Sequence, residues 1–253
     1  SWRSMFWCVK GRFLMRIAMW SGPRNLSTAL MYAFGNRADF AVVDEPFYAA
    51  YLTQSGLDHP LRSEVLADQP NDSADVIAAM LAPLPKARPH VYHKHMTQHM
   101  TAGIPREWMR DVVNVFLIRH PARVVASFAA KFENPSLEDL GFVQQAELYD
   151  YVQALGQSAF VIEAADIRAD PEGMLRRLCA ALGLGFDPAM LSWPAGGHAS
   201  DGVWASHWYG AVHRSTGFAG PEAALPELHG AVADLAAQGM PAYNRLAAVK
   251  LVS

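Results

Sequence analysis

Short apolar runs of strand length alternate along the chain with stretches whose apolar residues recur every three or four positions. The runs are Arg16–Trp20, Phe40–Val43, Val91–Lys94, Val112–Ile118 and Phe160–Glu163. Val112–Ile118 is apolar enough to suit a sheet covered on both faces, despite Asn114 within it. Between the runs, Leu26–Phe34, Phe47–Leu52, Ser73–Leu81, Ala122–Phe132 and Leu137–Leu155 carry helical spacing. Asp170 and Pro171 open a further helix with Leu175, Leu178 and Leu182 on one face and Gly183 at its end. Gly56–Asn71 is polar and punctuated by proline, which predicts an excursion over the surface. The pattern breaks down over Trp193–Phe218, rich in Gly, His and Trp, and two short helices are expected near the C-terminus. Strands alternating with helices predict an α/β fold of three αβα layers around a central parallel sheet.

A chain of 253 residues with 51% apolar composition fills one such domain. Residues 1–14 are aromatic and basic, and Met15 directly precedes the first strand-like run, which predicts an upstream extension over 1–14 and a single domain over 15–253. Arg12 and Arg16 interrupt the apolar run that a signal peptide needs, and an Ala-x-Ala cleavage site is missing. The net charge of -3 argues against a general binder of nucleic acid or membrane surface, and leaves a small molecule as the expected partner. Two cysteines, Cys8 and Cys179, make no disulfide framework and point to a reducing compartment, the cytoplasm. No apolar stretch reaches the ~20 residues of a membrane span. The oligomeric state stays open.

Two segments carry candidate chemistry. Ser21-Gly22-Pro23-Arg24-Asn25-Leu26-Ser27-Thr28 runs from the first strand into a helix N-terminus, where unpaired backbone N–H groups and the positive dipole end suit an anion. Arg24 adds a permanent charge there, and Asn25, Ser27 and Thr28 add polar side chains. The loop is not a Walker A motif, since it has one glycine and no lysine. Arg119-His120-Pro121 follows the strongest strand, and Ser127 lies two turns along the next helix. Open α/β sheets bind their ligands at such strand ends.

Together, Pro-Arg-x-x-Ser-Thr and Arg-x-Pro-x5-Ser resemble the sulfotransferase superfamily. The likeness runs from about Arg16 to Ile167. Asp201–Phe218 further resembles bacterial sulfotransferase-like proteins and a domain of plant proteins labelled aminotransferase-like. The resemblance implies a P-loop-NTPase-like sulfotransferase fold and 3′-phosphoadenosine 5′-phosphosulfate (PAPS) as cofactor. It assigns Arg24 to the oxygen bridging phosphate and sulfur, Asn25, Ser27 and Thr28 to the 5′-phosphosulfate loop, and Arg119 and Ser127 to the 3′-phosphate. It makes Arg214 the counterpart of a basic residue in the family's C-terminal cofactor loop. By analogy the reaction requires no metal. The first motif departs from the family, which has Gly where Leu26 stands and often Lys where Arg24 stands.

The acceptor's proton has two candidate bases at strand ends. Glu45 follows the second strand in Asp44-Glu45-Pro46, and His95 follows the third in His93-Lys94-His95; the choice stays open. His93, His95 and His99 have no carboxylate or cysteine at zinc-ligand spacing. Trp204, His207, Trp208, Tyr209, His213 and Arg214 suit either a pocket wall or an aromatic anchor. The expected function is sulfuryl transfer to a small hydroxyl or amine acceptor. Two alternatives remain: an ATP-dependent small-molecule kinase, with Asp44 as its loose metal candidate, and a nucleotide-binding module without turnover, which the Leu26 departure allows.

Overall fold

The structure, a computed structural model, describes residues 7–9, 12–84, 87–131 and 135–252, with side chains from Leu14 onward. Strand β1 (Trp7–Val9) pairs antiparallel with the start of β2 (Arg12–Ser21). The chain continues through helix α1 (Ser27–Gly35), β3 (Phe40–Asp44), α2 (Tyr48–Ser55), α3 (Arg62–Asp68), α4 (Ser73–Leu81) and β4 (His90–Met96). Then come β5 (Val113–Ile118), α5 (Pro121–Ala129), α6 (Leu137–Leu140), α7 (Phe142–Ala154), β6 (Ala159–Glu163), α8 (Ala164–Ala169) and α9 (Pro171–Ala181). One-turn helices α10 (Ala205–Trp208) and α11 (Gly210–His213) precede the long α12 (Gly230–Ala247). The reading of residues 1–14 as an upstream extension falls largely outside the described residues, as does the side chain of Cys8.

Strands β3, β4, β2, β5 and β6 lie in that order, all parallel. Each strand's alternation sends its side chains into two cores. Ile17, Met19, Tyr92 and Leu117 pack with α1 and α9 through Phe34, Leu175 and Leu178. Ala18, Trp20, Phe116 and Val161 pack with α4, α7 and α12 through Met80, Leu148 and Leu246. Asn114, inside the strongest apolar run, is satisfied: it accepts from Trp20 Nε1 at 2.9 Å and donates to Met109 O at 2.9 Å.

Three expectations change. Gly56–Asn71 contains α3, whose Val65 is fully buried under α2. The helix expected over Leu137–Leu155 breaks into α6 and α7 at Gly141, which has φ 68° and carries its carbonyl to Thr97 Oγ1 at 3.0 Å. A Cβ on Gly141 would sit 2.4 Å from that hydroxyl oxygen, so the break needs glycine. At the C-terminus one 18-residue helix replaces the two short ones, with Pro241 inside it. Its packing on α5 and α7 outweighs the hydrogen bond that Pro241 cannot donate.

The same alternation decides the fate of the histidines on β4. Tyr92, Lys94 and Met96 share one face, and His93 and His95 the other. His95 is buried and stacks on Trp20 at 4.4 Å, with Phe47 and Trp108 beside it. Burial pushes the His93 imidazole down to about 3, and holds His95 and His99 well below the usual value. The unfolded chain therefore takes up protons that the folded chain refuses. Stability is fully present above the unfolded value near 6.5 and falls as pH drops below it, by about 1.4 kcal/mol per pH unit for each such histidine. We expect unfolding free energy measured between about pH 7.5 and 5 to fall steeply, and His95→Phe to lessen that slope by about one proton. An unchanged slope in the variant would show that His95 titrates freely in the folded state.

Candidate active site

The chain steps from β2 out to β3, returns to β4, and later crosses to β5 on the other side of β2. This reversal leaves a crevice beyond the carboxyl end of β2, the usual ligand site of such sheets. A cavity of about 590 Å³ lies there. Arg24, Asn25, Ser27, Thr28, Arg119 and Ser127 line one end of it, and Glu45 and Lys94 lie on its wall as well.

The Arg-bearing end is built from two interlocked loops. Gly22 lies against α6, where a Cβ would sit 2.5 Å from Leu140 O. Arg24 holds φ 55°, a left-handed conformation that costs a non-glycine residue roughly 1–3 kcal/mol. Its Nε donates to Ser127 Oγ at 2.9 Å, and Arg119 Nη1 donates to Arg24 O at 2.6 Å. Burial, then the charge of Arg119, lower the pKa of the Arg24 guanidinium. Asn25 braces the loop by donating to Leu117 O at 3.0 Å and accepting from Leu26 N at 2.8 Å. Helix α1 then starts without a side-chain cap, with Ser27 and Thr28 in its first turn. Leu26 has φ -86° and packs on the core, so the glycine that the resemblance calls for is not demanded by backbone conformation.

The same cavity is bordered by a buried ionic cluster. Lys94 Nζ reaches Asp44 Oδ1 at 2.9 Å, Glu45 Oε1 at 2.5 Å and the Tyr209 hydroxyl at 2.6 Å. Tyr209 donates to Asp44 Oδ2 at 2.8 Å and accepts from Trp204 Nε1 at 3.0 Å. Burial opposes the charge on Lys94, yet Asp44 and Glu45 outweigh it and raise the ammonium's pKa. Burial also pushes the Asp44 carboxyl up, against the pull of Lys94. Glu45, at φ 41°, spends Oε1 on this cluster, and its Oε2 lies 4.0 Å from His99 Nε2. His99 is sandwiched between Tyr48 and Tyr51, at 4.7 and 4.8 Å. Burial, then the neighbouring His59 and Lys94, disfavour its charged form.

Of the residues singled out from sequence, Arg24, Asn25, Ser27, Thr28, Glu45, Arg119 and Ser127 meet around this cavity. His95 does not: one residue past Lys94, it points through the opposite face of the sheet into the aromatic core. Arg214 is exposed and stands outside the cavity lining, because α11 ends there and turns it to solvent. The Trp204–Arg214 segment divides its roles. Trp204 and Tyr209 anchor it, Trp208 and Tyr209 wall the cavity, and His213 pairs with Asp201 at 3.1 Å. Pattern reading missed Glu222, which pairs with Arg119 Nη2 at 2.6 Å from a segment that has no periodicity to mark it. Among the described residues no group of three or more His, Cys, Asp or Glu side chains could hold a metal ion, and no helix is long and apolar enough to cross a membrane.

Comparison with known proteins bears on this geometry. The sequence model of the family described as Sulfotransferase domain matches residues 15–250. Branched-chain-amino-acid aminotransferase-like protein 2 of Arabidopsis thaliana is 36% identical over 233 residues, 91% of this chain and 41% of the relative. The chain thus spans about two fifths of that relative's length. The fold recurs in the sulfotransferase domain from the curacin biosynthetic pathway, with TM-score 0.52 and 19% identity over 90% of this chain and 98% of that one. It recurs also in a sulfotransferase from Alicyclobacillus acidocaldarius, with TM-score 0.54 and 14% identity over 94% of this chain and 97% of that one. Matched over nearly its whole described length, and with the αβα architecture of solved sulfotransferases, the chain belongs to the sulfotransferase domain family.

Proposed function

We propose that the chain moves a sulfuryl group from PAPS to a hydroxyl or amine of a small acceptor. The observation that carries this reading is one cavity with guanidiniums and an uncapped helix start at one end, and a lysine-held carboxylate facing the same space. The residues fit the donor. The first turn of α1 with Ser27 and Thr28 suits a 5′-phosphate, and Arg119 already clasps an oxyanion, the carboxylate of Glu222. Bound there, the donor supplies the activated sulfur. Glu45 takes the acceptor's proton at Oε2 as the acceptor atom bonds to sulfur. Arg24 receives the negative charge that grows on the bridging oxygen as the sulfur–oxygen bond breaks, leaving 3′-phosphoadenosine 5′-phosphate (PAP). Lys94 holds Glu45 in place through its other oxygen. The kinase alternative has less support, because its metal candidate Asp44 is closed in by Lys94, Tyr209 and the Gly202 amide.

Arg24→Ala should lower turnover by ~100-fold or more while the melting temperature changes little, since the guanidinium acts on charge that develops in the transition state. Arg24→Lys should keep part of the rate, with a point charge in place of a planar fork. Unchanged sulfuryl transfer in Arg24→Ala, measured with an acceptor found by screening, removes Arg24 from the mechanism.

Glu45→Gln should cost ~100- to 10,000-fold in turnover and spare PAP binding measured by calorimetry. His95→Phe, which keeps the aromatic stack, should retain turnover per folded molecule. The reverse result would move the proton to His95. Tight PAP binding with no acceptor sulfated in a broad screen would favour a module that binds without turnover.

A further inference from the structure

Residues 218–229 cross the surface without helix or strand and carry Pro221 and Pro226. From this strap Glu222 reaches inward until its side chain is only 4% exposed. Its Oε1 lies 2.6 Å from Arg119 Nη2, 3.0 Å from Arg119 Nε and 3.2 Å from Arg168 Nη1, and its Oε2 lies 2.8 Å from Arg123 Nε. The guanidiniums hold the strap's backbone too: Arg168 Nε donates to Gly220 O at 2.7 Å, and Arg123 Nη2 donates to Ala223 O. Arg119 and Ala219 border the cavity described above.

The charges do not balance. Among the described residues Glu222 is the only carboxylate within ion-pair distance of any of these three arginines. Three permanent positive charges, drawn from the end of β5 and from α5 and α8, converge on one negative charge. A phosphomonoester carries up to two negative charges and three acceptor oxygens, so it matches this cup better than a carboxylate does.

Resting on the PAPS reading, which already gives Arg119 to the donor's 3′-phosphate, we propose that Glu222 is an internal occupant of that seat, displaced with its strap when the donor binds, and that Arg123 and Arg168 complete the seat beside Arg119. Arg123 and Arg168 thereby join the donor site, and Glu222 sets how much affinity the 3′-phosphate adds. No covalent step is involved. The exchange is one oxyanion for another on the same three guanidiniums, and a ligand without a 3′-phosphate gains nothing from it.

The test compares the full chain with Glu222→Gln by calorimetry, using PAP, ADP and inorganic sulfate. Glu222→Gln should bind PAP about tenfold or more tightly than the parent chain, with ADP affinity unchanged. In the parent chain, PAP should increase cleavage after Glu222 by a glutamate-specific protease, because the strap is released. That arm also decides the matter should Glu222→Gln fail to fold. PAP binding that is unchanged or weaker in Glu222→Gln, or PAP that protects the strap from cleavage, overturns the proposal and makes Glu222 a residue that positions Arg119. If neither chain binds PAP, the sulfate arm separates the two readings. Tighter sulfate binding in Glu222→Gln keeps the arginine seat and retires PAPS as its ligand. Equal sulfate affinity retires the seat itself.

Discussion

A buried ammonium between two carboxylates organises this molecule around its cavity. Lys94 is 1% exposed, and its charge is tolerable there only because Asp44, Glu45 and the Tyr209 hydroxyl surround it. Loss of Lys94 would leave two buried carboxylates without their counter-ion, a cost of about 3–5 kcal/mol, so the cluster depends on the ammonium. It joins pieces far apart in sequence: the end of β3, the middle of β4 and the segment from Gly202 to Tyr209. That segment has little regular structure, and its position depends on Asp44 and on the burial of Trp204 against Tyr48.

The same cluster fixes Glu45, which lines the cavity and keeps Oε2 outside the cluster. Glu45 sits at a positive φ, as Arg24 does. Strained residues persist where their surroundings over-determine them. Around Glu45 this is done by Lys94, through its ammonium and its carbonyl, and around Arg24 by Ser127 and Arg119. Each group is thus held before any ligand arrives, the condition under which an electrostatic site needs little reorganisation. Arg119 is the joint between the two regimes: one nitrogen holds the Arg24 carbonyl, and the others hold Glu222.

Period and punctuation in the sequence were enough for the five parallel strands, the αβα layering and most of the helices between the strands. These depend on local backbone geometry and on which side chains must leave water. The two loops at the Arg-bearing end were equally legible, because a strand exit running into a helix start is a local event. Which of Glu45 and His95 borders the cavity was not. Both follow apolar runs, and only the placing of β4 in the sheet decides which face of its alternation meets the cavity, so that Lys94 points into it while His95 points away. A one-residue shift in register leaves the composition untouched but sends every side chain of the strand to the other face. The break at Gly141 and the unbroken helix through Pro241 were settled likewise by contacts, with Thr97 in one case and with α5 and α7 in the other. Glu222 shows the limit most plainly. It stands 103 residues from Arg119 and 54 from Arg168 in an aperiodic strap, and only folding brings one carboxylate to three arginines. Sequence determined the strands, most of the helices and which charges are available; the tertiary structure decided where helices break and which charges meet, because a long-range contact or ion pair has no signature in the local pattern of either partner.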